Sequence, residues 1–388
     1  MDLTLTPELA AFREEVRAFL EAHHGEHEAG APKDPKAWQK LLIANGYAAR
    51  TIPREYGGFG AEPDLLKSRI IAEEFIAAGA PRGMAGQGIS MLVPTLLEVG
   101  SEEQKRRWIP PTLSGDIIWC QGYSEPGAGS DLANLQTKAV EDGEDFLISG
   151  SKIWTSTAAQ AQMMFCLVRT EPDKPKHEGI SYILFPMDTP GIEVRPLKTM
   201  TGHAEFNEVF FTDVRVPQAN VVGGRGRGWF VANTTLKHER GMLGDPNATE
   251  ARLKALIELM KTETVDGQRI IDNPLFRDRL MQLQARVFSM KFNGLRVMTD
   301  ETAALARLVV KLQGCELNHQ VAALAIDALG ELGILYHDGP HLRAKGNWQR
   351  NYMFDLGLII GGGTAQIQKN IISERGLGMP REPKVVGA

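Results

Sequence analysis

The spacing of apolar residues changes period twice along this chain, and that double change limits what it can fold into more than any other feature. In the first stretch Leu9, Phe12, Val16, Phe19 and Leu20 recur at helical spacing, and Thr6 stands where it can cap a helix opened by Pro7. Asp34 and Pro35 open a second amphipathic pattern, "DPKAWQKLLIANG", that a glycine ends, and Ser101 with Gln104 forms a capping box before "EEQKRRWIP". From about residue 116 the pattern becomes short β-rich runs between turn residues: "DFLISGSKIW", "MMFCLVR", "SYILFPM", "IEVRPL" and "EVFFTDVRV". The connector "VVGGRGRGW" then leads back to long helical patterns around "ARLKALIELM", "LFRDRLMQLQARVFSMKFNGLRVM" and "ETAALARLVVKLQGCELNHQVAALAIDALG". The expectation is an α+β multi-domain chain: helical over 1–115, a β domain over 116–224, and helical again over 225–388.

A chain of 388 residues can bury a pocket that takes both a cofactor and a substrate. Its 43 Lys and Arg stand against 48 Asp and Glu, so neither a basic nucleic-acid footprint nor an acidic tail dominates. Cys120, Cys166 and Cys315 lie far apart with no Cys-x-x-Cys pair, which argues against a disulfide framework or structural zinc and for a reducing, cytoplasmic setting. The opening "MDLTLTPELAAFREEV" has no basic region before an apolar run, and no stretch of about 18 apolar residues occurs, so neither secretion nor membrane spanning is expected. The end, "MPREPKVVGA", reads as a tail lying on a surface or a neighbour.

Three stretches carry chemical information. "WCQGYSEPGAGSDLANLQTKA" contains a tight turn of small residues: either a plain loop, or a place where backbone N–H groups and serines approach a ligand closely. It has neither the lysine of a phosphate loop nor the strand-turn-helix setting of a dinucleotide fingerprint. In "SKIWTSTAAQ", Trp154 is followed by Thr155 and Ser156; a strand tryptophan is commonly core, but this one with hydroxyls beside it also suits a planar heterocycle. "GGGTAQIQ" puts three glycines directly before a helix start.

Together with "IPREYGGFG", "NEVFFTDVRVP", "GRGWFVANTTLKHER" and "GGGTAQIQKNIISERGLGMP", the stretch "YSEPGAGSD" and the "SKIWTS" run resemble the acyl-CoA dehydrogenase family of flavoenzymes over nearly the whole chain. The resemblance implies an N-terminal helical domain, a central β-barrel-like domain and a C-terminal four-helix bundle, with FAD between the last two and partly across a subunit boundary. It implies that Gln121, Tyr123 and Ser124 line the flavin ring edge, and that Ser130 lies near the CoA phosphates or the flavin. It also implies that Trp154, Thr155 and Ser156 stack on and hydrogen-bond the ring, and that Thr364 and Gln366 make further FAD contacts. Arg277 is the candidate for the arginine that such enzymes extend to the FAD pyrophosphate. Near the adenine end, Gly330 and Gly333 are retained and Asp327 replaces a glutamine.

The family's chemistry takes an α-proton from an acyl thioester with a general base while a hydride leaves the β-carbon for the flavin, and it polarises the thioester carbonyl. Many members carry the base as a glutamate directly before the Gly-Thr of the last motif, where this chain has Gly362. A second group carries it on a helix after the β domain, before an arginine, and "LKHER" puts Glu239 and Arg240 there. By resemblance Glu239 is then the base, Arg240 lies near the substrate, and the Gly362 N–H donates to the thioester carbonyl, while His238 faces elsewhere. Three absent side chains would also make room for a branched or bulky acyl group. The implied partners are an acyl-CoA, an acceptor such as electron-transfer flavoprotein, and further subunits as a homodimer, homotetramer or heteromer. The alternatives are a partner subunit that has lost part of its site, a flavin oxidase, or a dehydrogenase of carrier-bound thioesters.

Overall fold

The computed structural model describes residues 5–24, 32–239, 244–299 and 303–381. The chain forms two compact units, Met1–Leu197 with Glu205–Thr235, and Lys198–Ala204 with Leu236–Ala388.

The first unit begins with helices whose ends are written in the sequence. Helix α1 (Pro7–His23) is capped by the Thr6 hydroxyl, and α2 (Pro35–Ala44) by the Asp34 carboxylate, each with proline in its first turn. Helix α3 (Leu65–Ala77) packs its Ile70, Ile71 and Phe75 with Val16, Phe19 and Leu20 of α1 and Trp38 and Leu42 of α2, and Leu9 and Phe12 lie against this core. Helix α4 (Val93–Val99) follows a π-helical turn over Gly88–Leu92. Helix α5 (Glu102–Leu113) starts on the capping box of Ser101 and Gln104, and the Gln104 amide also donates to the main chain of Ala219 and Val221.

The β part of this unit is one sheet. Strands β1 (Trp119–Gly122), β2 (Lys138–Asp142), β3 (Asp145–Ser156), β4 (Met163–Arg169), β5 (Ile180–Pro186), β6 (Ile192–Leu197), β7 (Phe206–Pro217) and β8 (Val221–Val222) run in the order β6-β7-β3-β2-β4-β5-β8, and β1 adds to β4 in parallel. Strands β4 and β5 are buried on both faces, which is why they read as unbroken apolar runs, whereas β7 alternates. The periodicity marked β3 to β7 but not β1, β2 or β8. Those three are too short, or too polar on their exposed face, to show a period.

In the second unit α7 (Pro246–Thr262), α8 (Pro274–Thr299), α9 (Ala304–Leu329) and α10 (Asn347–Ile360) share one core. Leu253, Leu256, Leu280, Val287, Leu317, Val321, Leu324 and Trp348 are buried in it. Helix α6 (Gly228–Glu239) precedes these and the short α11 (Ala365–Ile371) follows. Helical, β, helical is thus the observed order, and no described helix is long and apolar enough to cross a membrane.

Candidate active site

In the first unit the structure gathers the residues singled out around β1 and β3. The Ile153 N–H donates to the Ser124 carbonyl at 2.9 Å, so Gln121, Tyr123 and Ser124 run beside the end of β3 that carries Trp154, Thr155 and Ser156. The pairing of β3 with β7 shifts register between Lys152 and Thr155, and Trp154 at the shift takes a left-handed φ of 61°. A bulky residue in that region is strained by about 1–2 kcal/mol. The bulge turns the indole out, leaving it 58% exposed with the edge of Phe206 against it at 5.9 Å, and turns Thr155 in, to 1%. Trp154 is therefore not a core tryptophan.

The Thr155 hydroxyl is buried, and no described residue partners it. Leaving a buried hydroxyl unpaired costs about 1–3 kcal/mol. A broad exposed indole beside an unpaired hydroxyl fits a flat heterocycle that stacks and accepts or donates at its edge. Gln87, just before the π-helical turn, adds a buried amide oxygen without a partner among the described residues, while its Nε2 reaches the Gln121 amide oxygen at 3.4 Å. Tyr123 is buried with its ring edge-on to Phe165 and Tyr182, whereas Ser130 is exposed on the loop.

Beneath this loop lies an ion pair that the sequence reading missed. Lys152 is 0% exposed; its ammonium meets Glu125 at 2.7 Å and the Tyr123 carbonyl at 3.1 Å. Glu125 also accepts from the Gln136 and Thr137 N–H groups at 2.6 and 2.9 Å. Burial pushes the Glu125 carboxyl up, but the Lys152 charge and these donors outweigh it and hold it below the ordinary glutamate value. Burial pushes the Cys166 thiol up to about 12 and raises Cys120 as well, so neither supplies a thiolate. A lysine at an inward position of an alternating strand was the available signal for the pair.

In the second unit the three-glycine turn links α10 to α11. Gly362 and Gly363 have φ of 65° and 96°, values that favour glycine, and Thr364 caps α11 by accepting from the Ile367 N–H at 3.2 Å. Gln366 is exposed, as is Arg277 in the first turn of α8. Glu239 is the last residue of α6; its side chain, and Arg240 altogether, lie outside the described residues. His238 is exposed. Gly330 ends α9 with φ 55°, and Asp327, in the glutamine's place, pairs with Arg279 at 2.6 Å.

Two buried side chains that the sequence reading passed over hold this turn. Lys311 of α9 donates to the carbonyls of Ile359 at 3.1 Å and Gly363 at 2.6 Å, and Gln368 donates to that of Gly362 at 3.0 Å. Among the described residues no group of three or more His, Cys, Asp or Glu could hold a metal ion.

Comparison with known proteins matches the chain in three parts: the N-terminal domain model of acyl-CoA dehydrogenase over residues 6–116, the middle domain over 120–214 and the C-terminal domain over 226–377. The acyl-CoA dehydrogenase IpdE1 of Mycobacterium tuberculosis is 40% identical over 365 residues, covering 92% of this chain and 91% of that protein. Among solved structures, the Tcur3481-Tcur3483 steroid ACAD superposes with a TM-score of 0.81 at 31% identity, over 98% of this chain and 100% of that one. The ChsE4-ChsE5 complex of Mycobacterium tuberculosis gives the same TM-score, 0.81, and 31% identity over 99% and 100%.

Proposed function

The chain belongs to the acyl-CoA dehydrogenase family, and from that premise we propose that it introduces an α,β double bond into an acyl-CoA whose acyl group is branched or bulky, of a steroid-like class. The family's members are oxidoreductases and FAD-dependent flavoproteins. When bound, FAD supplies the acceptor for the hydride leaving the β-carbon.

The chain's own residues supply the rest. Glu239 takes the α-proton, and Arg240 beside it eases the cost of a carboxylate in a closed pocket. The Gly362 N–H donates to the thioester oxygen, where negative charge develops. Trp154 gives a stacking face; Thr155, Ser156, Gln121, Tyr123 and Ser124 give edge hydrogen bonds; Ser130 serves the CoA phosphates; Thr364, Gln366 and Arg277 hold the remainder of the cofactor. The division into 1–115, 116–224 and 225–388 follows the same reading, as do a cytoplasmic setting, electron-transfer flavoprotein as acceptor and a place in lipid metabolism.

The observation that carries the assignment of the base is the turn at 361–363. Its middle residue is a glycine at φ 65°, so the position that bears the base in many relatives has no carboxyl, and α6 ends on a glutamate. Glu239→Gln is expected to keep flavin absorbance while abolishing anaerobic bleaching by substrate; unchanged turnover sinks the assignment. Bleaching across straight, branched, aromatic and steroid-like acyl-CoAs tests the substrate class, and a clear preference for a straight medium chain counts against it.

A second reading concerns assembly. Similarity to a ChsE4-ChsE5 complex supports an unlike pair rather than a homotetramer, with this chain carrying a whole or a partial site. Flavin absorbance per chain, read after purification alone and again with a candidate partner, separates the two.

A further inference from the structure

We infer that Lys311 is a positioning residue for this reaction: from within α9 it pins the three-glycine turn so that the Gly362 N–H stays presented to the thioester carbonyl, and Gln368 completes the hold. The inference rests on the role proposed above for Gly362. Lys311 and Gln368 are each only 3% exposed. An ammonium is among the costliest groups to bury, and apolar residues of similar volume often replace buried charges without loss of stability. Stability alone therefore gives a poor account of a lysine here.

Its contacts give a better one. With φ of 65° and 96° and no side chains, Gly362 and Gly363 have no steric means of keeping one conformation. In a trans peptide the C=O and the following N–H point in opposite directions. Gln368 draws the Gly362 oxygen inward and so turns the Gly363 N–H away from it; Lys311 draws in the Gly363 oxygen and does the same for the Thr364 N–H. On the other side, the Gly361 N–H closes α10 on the Gly357 carbonyl at 2.8 Å. Gly362 thus sits between a helix end fixed by its own hydrogen bond and two peptide planes fixed by buried donors. Its own N–H donates to no backbone carbonyl among the described residues. Lys311 also ties the turn to α10 through Ile359, so that helix end and turn cannot shift independently.

The test uses the flavin-loaded protein in whatever assembly it purifies. Acetoacetyl-CoA has acidic α-protons and no β-hydride to give, so the pH midpoint for its ionisation in the site, followed by its enolate and long-wavelength absorbance, reports on polarisation of the thioester carbonyl. In Lys311→Met this midpoint is expected to rise by about one pH unit, a tenfold loss of α-proton acidity. The rate of anaerobic flavin reduction by a good substrate is expected to fall roughly 100-fold, with its Kd changed less than about threefold. Lys311→Arg, which keeps a charged donor, should recover part of both. Flavin content and melting temperature are read on every variant. If Lys311→Met does not accumulate folded, Gln368→Leu, which frees the Gly362 carbonyl, decides by the same shift.

A midpoint and reduction rate equal to wild type in a folded variant overturn the inference and leave the role of Gly362 standing. Failure of the wild-type protein to ionise the bound analogue overturns that role, and the inference with it.

Discussion

Each unit contains a glycine-rich segment fastened by a lysine that water hardly reaches, and the contacts through which each lysine holds its segment differ. In the first, Lys152 meets a carboxylate, and Glu125 spends its remaining capacity on the N–H groups of Gln136 and Thr137. In the second, Lys311 meets the main-chain carbonyls of Ile359 and Gly363. The ion pair closes a loop by charge and is expected to be rigid and expensive to break. The carbonyl contacts orient peptide planes, and are expected to matter for the direction of an N–H.

The largest effect should come from breaking the ion pair. Lys152→Met leaves the Glu125 carboxylate buried without its cation, which costs about 3–5 kcal/mol. Denaturant unfolding should show that loss, together with loss of flavin. Lys311→Met should instead keep its flavin while its reduction rate falls, and loss of flavin there as well would erase the distinction drawn between the two fastenings.

Acid separates the units further, because their buried carboxyls are shifted in opposite directions. Glu125 is held below its ordinary value, so its contribution is present above the unfolded value near 4.3 and is lost as pH falls through the folded one. Asp355 of α10 is 1% exposed and paired with Arg252. Burial still pushes it up, and its Oδ1 has no partner among the described residues. Its contribution opposes folding at neutral pH and vanishes below about 3.9. Glu125→Gln should therefore cost about 2 kcal/mol at pH 7 and progressively less as acid protonates the wild-type carboxyl. Asp355→Asn should be mild or stabilising at pH 7, with the benefit fading in acid. A parallel pH dependence of the two variants in chemical unfolding would break the comparison.

The same contrast shows what the sequence could and could not disclose. Helix starts at Thr6, Asp34 and Ser101 were legible because a cap needs one residue type at one place, and β4 and β5 because burial on both faces leaves an unbroken apolar run. Trp154 was ambiguous. A period of two places it by parity, and the bulge between Lys152 and Thr155 changes the parity through a left-handed residue that no local signal announces. Lys152 and Lys311 were passed over because a lysine in an amphipathic pattern is ordinarily read as solvent-facing. Yet Lys311, Cys315, Asn318 and Ala322 recur at helical spacing and are all buried, so the lysine stood on the core stripe in plain view. The carbonyls it holds belong to the backbone, which one-dimensional patterns do not describe.

Gly362→Ala asks how much of the second fastening is glycine's own. At φ 65° a residue with a Cβ is strained by about 1–2 kcal/mol, so the variant should melt a few degrees lower while keeping its flavin. If the turn relaxes to relieve that strain, the reduction rate should drop along with the melting temperature. An unchanged rate would mean that Lys311 and Gln368 hold the peptide planes even against the strain, which sharpens the contrast with the ion pair.

The smallest effect, and the one most specific to the cofactor, belongs to Thr155. Its hydroxyl is buried with no partner among the described residues, so in flavin-free protein Thr155→Val removes an uncompensated polar group and should leave stability equal or slightly higher. In flavin-loaded protein the same change removes a hydrogen bond to the ring edge and should weaken FAD binding roughly tenfold, about 1.4 kcal/mol. The sign should therefore reverse between the two forms, read by unfolding of the flavin-free protein and by FAD titration. Lys152→Met should lower both readings together, because it loosens the loop whether or not the cofactor is bound. A loss in both forms for Thr155→Val would mean that the hydroxyl serves the fold, and that the exposed Trp154 beside it needs another explanation.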